Sequence, residues 1–269
     1  MEPRRIILLG ASNIAFAFPS LVTKLRASFS GPLEIVGAFG HGRSYGLESQ
    51  AGFRRLPSII HCGLWPYLQS RPEVPCQALL MDVGNDLLYG PSLEEISGWV
   101  ETCLGRLRDL GSSTSLVQMP RESVAVLPPW RYRLVRQLLY PHCRKPLEQI
   151  RDECRVLDDQ LRHLAGLFGA RSVEARGHWY GLDPVHLRPL AQKGAWREIL
   201  SAWPAPAQAE AHPSLGERWQ LWRLRPQERW SFGHHQLTPQ PCHQEAPGQD
   251  VVGQEAQGQE RAALTISLF

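Results

Sequence analysis

The chain has 269 residues, 43% of them hydrophobic, and a formal net charge of +3. That is enough apolar material to bury a core, in one large domain or one domain plus a tail. With so small a charge imbalance and no single basic run, the whole-chain balance gives no reason to expect nucleic acid or an anionic membrane as the main partner. No stretch of about 18 apolar residues reads as a membrane span. The six cysteines include no C-x-x-C pair, which argues against a zinc ribbon or redox motif.

In chain order, residues 5–9 form a short apolar run closed by Gly10, the pattern of a buried strand. The run is too short for a signal-peptide core and reads as the first strand of a cytoplasmic protein. A helix is expected over 14–28, interrupted or tightened near Pro19, then a second strand over 33–39. Residues 52–69 read as mostly helical with a break at Pro66. A third strand covers 78–83. Ser92 with Glu95 three residues later is a capping box. It opens a helix whose apolar stripe is Leu93, Ile96, Val100, Leu104 and Leu107. A fourth strand over 115–119 ends at Pro120. A stretch rich in Pro and Arg, 121–146, interrupts the alternation. A long helix follows, with Leu147, Ile150, Cys154, Leu157, Leu161 and Leu164 on one face. A weak fifth strand over 170–175 and a helix from about Leu187 to Trp203 complete the series.

Strands alternating with helices predict a doubly wound, flavodoxin-like three-layer α/β sandwich with a mainly parallel sheet of about five strands. In such sheets, ligands bind beyond the carboxyl ends of the strands. Four short blocks fall there. Ser12 in Gly10-Ala11-Ser12-Asn13 follows strand one. It is either an exposed nucleophile near helix amides or a helix cap. Gly40 to Gly46 follows strand two, and its glycines let backbone amides point into a site. Gly84-Asn85-Asp86 follows strand three, where Asn85 is either a donor to an oxyanion or an ordinary turn residue. Asp183-Pro184-Val185-His186 follows the fifth strand, and a carboxylate three residues before a histidine can orient the imidazole as a base. A rival is present: Gly42-Arg43-Ser44-Tyr45-Gly46 matches the G-x-S-x-G elbow, with Ser44 as nucleophile. That elbow normally follows several earlier strands, which are missing here.

Together the four blocks, over roughly residues 5–203, resemble the SGNH hydrolases, also called GDSL esterases. The resemblance implies a serine hydrolase acting on ester bonds without metal or cofactor. Ser12, Asp183 and His186 would be its triad. Its oxyanion hole would be the Ser12 amide, the Gly46 amide (Gly42 being the alternative) and the Asn85 side chain. Ala11 replaces the Asp usual in the family's first block, which loosens any assignment of subfamily. Gly52 to Pro57 has the look of the family's next helix. Arg43 and Arg121 either border the cleft with Gly42, favouring an anionic or carbohydrate ester, or are solvated surface residues. The other class of reading is a catalytically silent binding protein that kept the fold.

Residues 204–269 are expected to form a tail outside the catalytic sheet. Residues 204–213 read as a linker and 237–262 as disordered by composition. The Trp-rich segment near 215–232 either docks on the domain or meets a partner.

Overall fold

The computed structural model describes residues 2–29, 31–51, 54–203, 212–224, 228–231, 234–237, 240–246 and 263–269. Its first half runs β1 (Arg4–Leu9), α1 (Ser12–Ser28), β2 (Leu33–Ala38), β3 (Ser49–Ala51), β4 (Arg54–Leu56), α2 (Leu64–Gln69), β5 (Cys76–Leu80), a 3-10 helix (Val83–Leu88), α3 (Leu93–Asp109) and β6 (Ser113–Val117). Then come α4 (Arg121–Ala125), α5 (Pro129–Leu139), α6 (Leu147–Leu167), β7 (Arg171–Val173), α7 (Pro189–Ile199), α8 (Leu215–Arg223), β8 (Glu228–Ser231), β9 (His234–Leu237), β10 (Cys242–Ala246) and β11 (Leu264–Leu268).

The main sheet has seven strands in the order β10-β11-β2-β1-β5-β6-β7. All pairs are parallel except β10 with β11. Strands such as Ile6–Leu9 are buried on both faces, which is why they read as unbroken apolar runs. One face packs on α2, α3 and α6, the other on α1, α7 and α8, giving the expected α/β sandwich. The Ser92–Glu95 capping box opens α3 as expected. The six predicted apolar positions of α6 are all buried. Pro19 sits inside α1, which nevertheless runs unbroken from Ser12 to Ser28. No helix among the described residues is long and apolar enough to cross a membrane.

Two expectations are corrected. The sheet has seven strands rather than about five, because the segment after 203 does extend it. Leu264–Leu268 lies parallel to β2, and Cys242–Ala246 lies antiparallel outside it. The alternation Leu-Thr-Ile-Ser-Leu suits this place: Leu264, Ile266 and Leu268 enter the core, while Ser267 on the other face meets Tyr67 and His243. Residues 247–262, covering most of the segment expected to be disordered, lie outside the described residues, as do 204–211. The second correction concerns 52–69. Only Leu64–Gln69 is helical, and Arg54–Leu56 is a strand in a second, four-stranded antiparallel sheet ordered β3-β4-β8-β9. The Trp-rich segment is part helix, part strand. Leu221 of α8 is buried in the core beside α1.

Candidate active site

The carboxyl end of β1 turns directly into α1. A side chain at Gly10 would sit 2.8 Å from the Met81 carbonyl oxygen and 2.9 Å from Ile14, so the turn requires glycine. Ser12 is the first residue of α1 and is buried. Its turn is held from the next strand by Asp82, whose backbone is left-handed (φ 67°). Asp82 Oδ2 accepts from the amides of Ala11 (3.0 Å) and Asn13 (3.1 Å), and Oδ1 from Asn13 Nδ2 (2.6 Å). Burial pushes the Asp82 carboxyl above its ordinary pKa, against these three donors, which pull it down.

Asn13 then ties the serine turn to the D-x-x-H block. Its Nδ2 also donates to the Val185 carbonyl (2.9 Å), and its Oδ1 accepts from the Leu187 amide (2.9 Å). The two residues flanking His186 are therefore clamped by the residue after Ser12. The block itself is a tight turn ahead of α7. The Val185 amide donates to Asp183 Oδ1 (2.7 Å), and His186 Nδ1 is hydrogen-bonded to Asp183 Oδ2. Burial alone would lower the His186 pKa, but the hydrogen bond and charge of Asp183, with the charge of Asp82, raise it above the usual 6.5. Burial likewise pushes Asp183 up, and its contacts with His186 and the Val185 amide outweigh that and hold it below the usual carboxylate range. No hydrogen bond joins Ser12 Oγ to His186 among the described residues. Phe16 of α1 packs edge-on against both His186 (5.7 Å between centroids) and His41 (4.6 Å), bringing the loop after β2 to the same rim.

Asn85 comes from the 3-10 helix after β5. It is buried, and its Oδ1 accepts from the Tyr140 hydroxyl at 2.8 Å. Its Nδ2 is shielded from solvent and has no hydrogen-bond partner. A buried amide donor left unpaired is costly and calls for an explanation. Burial raises the Tyr140 pKa well above its ordinary value, so that hydroxyl remains a donor.

The loop after β2 departs from expectation. The Gly46 amide donates to Ser44 Oγ (3.2 Å), and a side chain at Gly46 would fall 1.9 Å from the Trp99 ring. Gly46 is a packing glycine whose amide is already engaged. Gly42 has a left-handed backbone (φ 70°), and neither its amide nor that of Ser12 meets an acceptor among the described residues. Ser44 is fully buried, hydrogen-bonded to Asp86, and receives the Leu47 amide (2.9 Å) as well. Arg43 does not border a cleft: it is buried, donating to the Pro57 carbonyl and to Phe269 O. Arg121 is exposed and pairs with Asp159 at 3.5 Å.

Beside Asn85 an apolar cavity opens between the ends of β5 and β6 and helices α4 to α6. It is narrow, with a volume of about 80 Å³. Val117, Met119, Leu127, Val135 and Ile150 form much of its wall, and Pro184 and Val185 bring the D-x-x-H turn to its edge. Arg136, rather than Arg43 or Arg121, is the arginine that reaches it. Asp82, Asn13 and Tyr140 carry the site's geometry, and sequence reasoning passed over all three. Asn13 and Asp82 were visible as polar residues at strand ends, whereas nothing in the sequence marks Tyr140.

No protein-family model matches the chain, and no curated protein sequence does. Among solved structures, it is similar to a carbohydrate acetylesterase family member from Sinorhizobium meliloti (TM-score 0.49, 13% identity, 73% of this chain and 95% of that one). It is similar also to the native aryl esterase of M. smegmatis (0.48, 14%, 71% and 94%) and to the psychrotrophic esterase EstA from Pseudoalteromonas sp. (0.46, 12%, 74% and 95%).

Proposed function

We propose that this protein is a serine hydrolase that cleaves an ester bond. The observation that carries the reading is Asn85: a buried amide fixed at its oxygen by Tyr140 with its N–H groups unpaired. Such a group is poised for an oxyanion, and the other parts an acyl transfer needs come from the same strand ends.

Ser12 Oγ attacks the ester carbonyl carbon while His186 Nε2 takes its proton. Asp183, bound to Nδ1, fixes the tautomer and stabilises the imidazolium. The tetrahedral oxyanion receives the Ser12 amide, the Gly42 amide and Asn85 Nδ2. Gly42 replaces Gly46 in this role because the Gly46 amide is engaged by Ser44. The intermediate collapses as the C–O bond to the alcohol breaks and the alcohol takes the imidazolium proton. Water, activated by His186, then releases the acid and restores Ser12. The cavity beside Asn85 receives the acyl part, and its apolar wall favours a hydrocarbon chain over a short acetyl group.

A fluorophosphonate probe tests the assignment. Labelling that disappears in Ser12→Ala and persists in Ser44→Ala is expected. Labelling that depends on Ser44 would transfer the role to that residue. A wild-type protein that takes no label is a silent binding protein on this fold.

A further inference from the structure

Helix α5 is apolar on two opposite faces. Its inner face carries Tyr132 and Val135, which line the cavity. Its outer face carries Trp130, Leu134 and Leu138, exposed by 57%, 52% and 71%. Spacing of four residues sets these three in one stripe along the helix. A helix that roofs a core needs only its inner stripe, and an exposed apolar stripe marks a surface that is covered by something.

The charge around it says what. Residues 123–147 contain no Asp or Glu and five basic residues, Arg131, Arg133, Arg136, Arg144 and Lys145, more than the whole net charge of +3. Lys145 is paired with Glu153, and the Arg131 guanidinium lies over the Trp130 ring at 5.3 Å. Arg133 and Arg144 remain exposed. A Trp/Leu stripe flanked by arginines suits an anionic interface: the rings and leucines enter the acyl boundary and the guanidinium groups meet phosphates. A second copy of the same surface would set arginine against arginine.

We propose that α5 docks this protein on an anionic lipid surface, with the Trp130–Leu134–Leu138 stripe inserted and Arg133 among the headgroups. The cavity that α5 roofs then lies directly behind the docked helix. Docking is independent of the ester-hydrolase reading, and only the delivery of substrate to Ser12 rests on it.

The experiment is co-sedimentation of the full chain with vesicles of phosphatidylcholine alone, or with about one third phosphatidylglycerol, at low and high salt. Anionic vesicles are expected to bind at least about ten-fold more tightly, and high salt to weaken that binding several-fold. Leu134→Glu should lose at least about ten-fold, with the milder Leu134→Gln falling between. Arg133→Gln should lose the anionic preference more than the residual binding. All three should melt as the wild type does, since the positions are exposed. Three results would overturn the proposal: no binding to anionic vesicles, equal binding by Leu134→Glu, or a dimer dissolved by Leu134→Glu in a protein that ignores vesicles. Fluorophosphonate labelling in parallel separates the two ideas. Vesicle binding without labelling sinks the hydrolase and keeps the docking; labelling without vesicle binding does the reverse.

Discussion

Asn85 is anchored at its oxygen and unpaired at its nitrogen, and this makes a graded prediction. Asn85→Ala removes the donor itself and should cut kcat by about 100- to 1000-fold. Tyr140→Phe removes only the hydrogen bond that aims it, worth about 0.5–1.5 kcal/mol, so kcat should fall by about two- to ten-fold with KM little changed. Steady-state kinetics on a chromogenic ester checks both. Gly46 supplies the contrast. Gly46→Ala pushes into Trp99, so its expected effect is a lowered melting temperature, with the labelling rate of the remaining folded protein kept. In the proposed mechanism His186 must be neutral to accept the Ser12 proton. Because Asp183 and Asp82 raise the His186 pKa, activity should rise with pH through a limb above 6.5. Asp183→Asn should move that limb to lower pH and reduce the plateau, readable from a kcat/KM profile.

At the scale of elements, the serine turn is a shared structure of β1, β5 and the loop before α7, joined by Asp82 and Asn13. Asp82→Asn replaces an acceptor for three donors with a group that must point N–H at one of them. A loss of about 1.5–3 kcal/mol in urea unfolding is expected. The elements themselves were largely legible. Ile6–Leu9, the α3 capping box and the α6 stripe are local patterns, and local patterns survive in a sequence. The D-x-x-H spacing was legible for the same reason, since Asp183 and His186 bond within one turn. Tyr140 was not, because its partner is 55 residues away. The burial of Arg43 is not legible, because a position after a strand says nothing about whether the side chain points outward. Arg54–Leu56 does not read as a strand because three residues show no period, and of its two strand partners only β3 is near in sequence, β8 being remote. The charge of α5 was hidden by averaging over the chain.

For the whole molecule, Asp86 sets a pH dependence of stability. Burial raises its carboxyl pKa to about 7, with Ser44 and the Tyr45 amide opposing, while the ordinary value is 3.8. Between those values the folded chain holds a proton that the unfolded chain has released, so stability should fall as pH rises through that window. Asp86→Asn should flatten the fall in urea midpoints between about pH 4 and 7. The sheet also depends on its last strand. Deleting residues 263–269 would uncover the β2 edge and leave buried Arg43 without its Phe269 partner. The shortened chain should lose cooperative melting by circular dichroism. That pairing joins Leu33 to Leu264 across nearly the whole chain. Contacts so distant in sequence close late, after the entropy of a long loop has been overcome. While the chain is being made, Leu33–Ala38 therefore waits as an open, apolar strand edge, the kind that other chains can pair with. Crowding of nascent copies is then a hazard until β11 arrives to cover that edge.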